Sequence, residues 1–193
     1  MMDRFGKYLI IRELTSSDMG WFAAPRDSGR IASKQRAINF NAAIISKLLP
    51  KTVLEAGEIY LDAVCQRPEA HDRQIRILSK VHKNWRLGGK KAPGDVFMQL
   101  REGDFFICLL EIFEKSPYLM AWTVVFQEEL KKFKKIIESL SFQDRMVLMN
   151  DNDPIAIDIK NELKLSCPIR QHVVEDEIIS TGRTNRKKLT VRE

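Results

Sequence analysis

The sequence predicts a mainly β protein, a closed or nearly closed barrel of about seven short strands with brief helices, followed by a helical extension. Short segments rich in β-branched and aromatic residues recur along the first two thirds of the chain, several of them alternating apolar and polar residues. Clusters of Gly, Pro, Asn, Asp and Ser separate these segments. Near Gln127 the apolar period changes to that of an amphipathic helix. Many short strands with two brief helices and no βαβ rhythm favour a barrel.

Each element has a local reason. FGKYLIIREL (Phe5 to Leu14) is β-branched and aromatic and reads as a strand. TSSDMG opens a long loop running to about Ser33, whose middle, AAPRDSGRIASK, is small, polar and basic. QRAINFN reads as a second strand, and Asn41 can cap a short helix, AAIISKLLP, ended by Pro50. GEIYLDAVC (Gly57 to Cys65) and RQIRILSKV alternate as half-buried strands around the turn QRPEAHD. The basic stretch HKNWRLGGKK reads as a loop, APGDVFMQL as a short helix or turn. REGDFFICLLEIF, entered through a Gly-Asp turn, and SPYLMAWTVVF read as a hairpin. QEELKKFKKIIESL places Leu130, Phe133, Ile136, Ile137 and Leu140 at helical spacing. The division expected is a barrel over residues 1–140 and, over 141–193, a helical extension with a basic tail in the linker-like STGRTNRKKLTVRE.

At 193 residues, 44% hydrophobic and 30% charged, the chain suits one domain with an appendage. No apolar stretch is long enough to cross a bilayer, and the amino-terminal run is broken by Arg12 and Glu13, which reads as a strand and not a signal peptide. An intracellular protein is expected. Cys65, Cys108 and Cys167 are odd in number and far apart, against a disulfide framework or a zinc site; the first two read as core thiols.

The net charge is +6, and its placement matters more than its size. From Arg73 to Lys91 there are seven basic residues and no acidic one, so the remainder of the chain sums to −1. Two basic segments stand out. The first loop offers Arg26, Arg30, Lys34, Gln35 and Arg36; the second segment offers Arg73, Arg76, Lys80, His82, Lys83, Asn84, Trp85 and Arg86. Arg and Lys satisfy phosphates or the guanine edge, and Gln or Asn pairs with adenine, so both sets hold anchors and readers for duplex DNA. Singly each residue has a plainer reading: a solvated cation, a surface histidine, a tryptophan in the core. Uncompensated cations concentrated between strands are harder to dismiss.

The same segments carry a resemblance. IIRELTSSDMG, KQRAINFNAAIISKLLP, RQIRILSKVHKNWRLGG, GDFFICLLEIF and LMAWTVVFQEELKKFKKII follow the order and spacing of the amino-terminal recognition domain of EcoRII-like type II restriction endonucleases. That domain has the DNA-binding pseudobarrel fold, related to the plant B-three domain. The resemblance covers most of residues 5–140, with few identities. It implies two arms that clamp the DNA major groove, matched here by the loop up to Lys34, Gln35 and Arg36 and by Ser79 to Arg86. The second arm is shorter than in the family and lacks its acidic member, whereas the first is lengthened around AAPRDSGR. A short cytosine- and guanine-rich target, and a bacterial cytoplasmic restriction-modification system with a nuclease domain elsewhere, are what the resemblance implies.

A catalytic centre is not evident. Asp153, Asp158 and Lys160 loosely match the acids and lysine of a metal-dependent nuclease, but the spacing leaves no room for a hairpin between the acids. Pro154 with IAIDIKNEL reads better as the first turn of a helix. His71, His82 and His172 lack partner patterns for nucleophilic catalysis, and Gly88, Gly89 and Gly94 form no phosphate-cradling motif. The expected function is therefore sequence-specific duplex-DNA binding without a cofactor, magnesium entering only with an attached catalytic domain. The alternatives are a small magnesium-dependent nuclease using residues 151–160, and a barrel that binds protein or RNA.

Overall fold

The computed structural model describes residues 4–22, 37–89, 95–113, 117–131 and 133–169. Eight strands form one sheet: β1 (Arg4–Glu13), β2 (Ile38–Asn41), β3 (Glu58–Cys65), β4 (Asp72–Val81), β5 (Asn84–Leu87), β6 (Phe105–Phe113), β7 (Tyr118–Val125) and β8 (Met146–Asn150). Their order is β2-β5-β4-β3-β7-β6-β1-β8, antiparallel throughout except for the β3–β7 pair, and the sheet curls into a nearly closed barrel. The expected pseudobarrel with short helices is thus the observed architecture.

The two edge strands meet at a seam. The Asn41 N–H donates to Met146 Sδ at 3.1 Å, and Asn41 Nδ2 donates to the Asp144 carboxylate. The capping role foreseen for Asn41 is also present. Its Oδ1 accepts from the N–H groups of Ala43 and Ile44 at 2.8 and 3.2 Å, capping helix α2 (Ala42–Ile45), which follows the buried α1 (Met19–Phe22).

Two apolar layers explain the strand sequences. The barrel interior packs Trp21, Phe22, Phe97, Phe106 and Trp122, with Trp21 and Trp122 centroids 5.1 Å apart. Outside, Leu9, Ile11, Ile107, Leu109 and Ala121 on β1, β6 and β7 are covered by Phe133, Ala156 and Ile159. Strands buried on both faces need continuous apolar sequence, as FFICLLEIF and YLMAWTVV have. β2 and β5 instead alternate buried and half-exposed residues, so their outer face is bare.

Several expectations are corrected. HKNWRLGGKK is not one long loop, because a two-residue turn at His82–Lys83 joins β4 directly to β5. KTVLEA forms helix α3 (Lys51–Ala56), for which the sequence reading had no element, and Gly57 closes it at φ 70°. The helix expected after Gln127 is a 3-10 turn at Glu129–Lys131 and a six-residue α4 (Lys134–Ser139). Beyond residue 140 the chain rejoins the barrel as β8, from Arg12↔Met146 to Tyr8↔Asn150, before α5 (Pro154–Leu163). The boundary expected at 140 therefore falls inside a single fold, and the basic tail STGRTNRKKLTVRE lies outside the described residues.

Candidate nucleic-acid interface

The β4–β5 hairpin sorts the second basic segment by strand alternation. Val81 pairs with Asn84 across the turn, Lys80 with Trp85, and Ser79 with Arg86. His82, at φ 53°, takes the left-handed conformation that a two-residue hairpin turn demands, which His tolerates better than branched residues. Trp85 and Phe40 are register partners that face inward, and Trp85 is 0% exposed, so it is a core residue and not a platform for a base. Arg76 is also internal. It is 1% exposed, with its guanidinium carbon 4.4 Å from the Trp21 ring centroid, and burial lowers its pKa to about 10. Arg73 is committed elsewhere. Its Nε and Nη2 donate to the Asp62 carboxylate at 2.9 and 2.6 Å, which raises its pKa, and Nη2 also reaches the Ile169 carbonyl at 3.0 Å.

The five remaining residues are not in the core: Lys80 lies on the strand face of Arg76 and Trp85, beyond the core, and Asn84 and Arg86 lie on the opposite face. Lys80, His82 and Lys83 are exposed around the tip, and Asn84 and Arg86 are half-buried on the bare outer face of β5. None of their side chains has a hydrogen-bond or ion-pair partner among the described residues, and Arg86 Nε is shielded from solvent with none. The register adds two asparagines that the sequence reading did not assign to the site. Asn39 faces Arg86 and Asn41 faces Asn84 across the β2–β5 ladder. Nothing short of strand register could have found them, since INFN reads locally as ordinary strand sequence.

Arg26, Arg30, Lys34, Gln35 and Arg36 lie outside the described residues. The stem of their loop is described, and it sits beside the hairpin. The buried Asp18 carboxylate accepts from the Thr15 N–H at 2.9 Å, Thr15 Oγ1 at 2.7 Å, the Asn39 N–H at 3.0 Å and Arg12 Nη2 at 3.3 Å.

Between these elements lies an open cleft of about 390 Å³ at the barrel seam, lined by Arg12, Asn39, Asn41, Lys83, Asn84, Asp144 and Arg145 among others. Amide, guanidinium and ammonium groups dominate the lining. Such a surface suits a polyanion with polar edges better than an apolar ligand.

Two of the three loosely nuclease-like residues have structural work. Asp153 Oδ1 accepts from the Ile155 N–H at 2.9 Å and caps α5, Asp158 is exposed on that helix, and Lys160 Nζ binds the Asp151 carbonyl. Pro154 opens the helix as expected. Cys65 and Cys108 are buried, and burial pushes the Cys65 thiol up to about 11 and Cys108 higher still. Among the described residues no helix is long and apolar enough to cross a membrane. No protein-family model matches the chain, and no curated protein matches it.

Proposed function

We propose that this chain is a sequence-specific duplex-DNA-binding domain, serving as the target-recognition or effector part of a type II restriction endonuclease whose catalytic domain lies outside it. The observation that carries the DNA-binding reading is the hairpin cluster: Lys80, His82, Lys83, Asn84 and Arg86 project from one β-hairpin without intramolecular partners among the described residues. Unpaired cations and an unpaired amide on a rigid strand pair match what the phosphates and base edges of DNA require. The restriction-enzyme part rests on the resemblance over residues 5–140, and the barrel fold is consistent with it.

The geometry divides the labour. Lys83 in the hairpin turn and Lys80 near it on β4 anchor phosphates, whereas Asn84 and Arg86 are spaced i, i+2 on one strand face and read base edges. Strand-borne side chains are held more precisely than loop-borne ones. Specific binding at roughly 10⁻⁸ M or tighter, with strong salt dependence, follows for such a module. Trp85 offers no stacking surface, which weighs against a single-stranded ligand at this hairpin.

The test is selection from a randomised duplex pool at moderate salt with magnesium present, repeated for Lys83→Ala combined with Arg86→Ala. A short enriched motif, recovered uncut and lost in the double variant, supports the reading. Binding that survives the double substitution without any enriched motif overturns it. Cleavage of the duplexes would move the weight to a nuclease, and better competition by single strands to an RNA-type module.

A further inference from the structure

The seam cleft has two walls. One is the hairpin, through Lys83 and Asn84; the other is the turn carrying Asp144 and Arg145, with Arg12 beside it. That turn is built in an unusual way. Gln143 and Met146 exchange backbone hydrogen bonds at 2.8 and 3.0 Å, and both residues between them hold left-handed backbone, φ 47° and 62°, although neither is glycine. Such a conformation is unfavourable for L residues and persists only where the surroundings over-determine it. Here they do. Arg12 Nη1 donates to the Asp144 carbonyl at 2.9 Å, the Glu13 N–H donates to the Arg145 carbonyl at 2.9 Å, and Asn41 Nδ2 holds the Asp144 carboxylate. His82, another non-glycine residue with left-handed backbone, tops the facing hairpin.

Arg145 projects from this fixed turn at the rim. Its side chain is 55% exposed, and among the described residues it is engaged only through Nη1, on Glu13 Oε1 at 2.9 Å. An exposed pair of this kind is weak, and the guanidinium fork keeps further donors for a second acceptor. Asp144, the one carboxylate lining the cleft among the described residues, is already held by Asn41 and suits an amino group on a base edge better than a phosphate.

We propose that the Asp144–Arg145 turn is a further DNA-contacting element: the duplex lies across the barrel seam between this turn and the β4–β5 hairpin, and Arg145 takes a backbone phosphate. The proposal rests on the DNA-binding reading above. Two walls, one at the β8 edge and the other beside the β2 edge of the sheet, set the span of the grip, which neither wall sets alone.

The experiment measures binding of the full chain to a short random-sequence duplex across a salt series without divalent metal. The variants are Arg145→Gln, Glu13→Gln, the Lys83→Ala/Arg86→Ala pair, and Lys134→Gln on α4 as a distant control. Arg145→Gln is expected to weaken binding several-fold and to reduce the log–log salt slope by about 0.9, the value of one phosphate contact. Glu13→Gln, which frees the guanidinium, tightens binding, and Lys134→Gln changes little. If Arg145→Gln behaves like Lys134→Gln while the hairpin pair loses binding, the turn is purely structural and this proposal fails with the DNA reading intact. If neither hairpin nor turn variants alter binding, the DNA reading fails first. Thermal unfolding accompanies each variant. Should Arg145→Gln lower the melting temperature, Arg145→Lys, which keeps the charge and loses the fork, is expected to keep the salt slope.

Discussion

The Asp18 carboxylate accepts the Asn39 N–H at 3.0 Å, tying the stem of the first basic loop to the strand that faces Arg86. Asp18 is fully buried, and its second oxygen also meets Arg12, itself only 8% exposed. Removing one partner of a buried ion pair leaves the other charge uncompensated, at a cost of roughly 3–5 kcal/mol. Asp18→Ala is therefore expected to lower stability by that order in urea unfolding. Asp18→Asn, which keeps an acceptor, should cost less. Equal stability of Asp18→Ala and wild type would show that the network contributes nothing.

Arg76 and Lys80 stand four residues apart on one strand and should behave in opposite ways. Arg76 is enclosed against Trp21 and paired with Asp72 at 3.7 Å, whereas Lys80 is exposed. Arg76→Ala is expected to destabilise the fold by about 3 kcal/mol or more through lost packing and an exposed void. Lys80→Ala should leave the unfolding midpoint within about 0.5 kcal/mol and weaken DNA binding. Paired calorimetry and DNA titration check both halves.

The His82 turn carries backbone strain that glycine relieves. At φ 53° an L residue pays roughly 1–2 kcal/mol, offset in part by the chain entropy that glycine adds to the unfolded state, about 0.5–1 kcal/mol. His82→Gly is accordingly neutral or stabilising by up to about 1 kcal/mol, while His82→Val is destabilising. Chemical denaturation separates the two, and a stable Val variant would refute the left-handed turn.

Alkaline pH should weaken the fold through its buried thiols. The folded pKa of Cys65 is about 11 against an ordinary 9.0, and that of Cys108 is raised further, both by burial. A raised pKa means that the contribution to stability is intact below pH 9 and is lost as pH rises from there, by up to about 1.4 kcal/mol per pH unit per thiol. Between pH 9 and pH 11 wild type should lose stability more steeply than a Cys65→Ala/Cys108→Ala variant. Parallel pH profiles for the two proteins would contradict this.

Local sequence carried much of this protein's architecture. Alternation marked β3 and β4, continuous apolar runs marked β6 and β7, and Asn41 and Pro154 announced their helices, because each signal lies within a few residues of the element it specifies. The charge of residues 73–91 was equally legible, as composition needs no fold. What it does was not. Arg73, Arg76 and Arg86 are alike in sequence, yet one is paired to Asp62, one lies inside against Trp21, and one faces outward beside Asn39. That division follows from strand register, in which a shift of one residue exchanges inside for outside. The same holds for β8 and Arg145. MVLMN resembles several short apolar segments, and only its pairing with β1, more than 130 positions away in sequence, turns it into the edge that closes the barrel and brings Arg145 to the hairpin. Short-range preferences determined the elements; long-range pairing decided which cations remain free to meet a ligand.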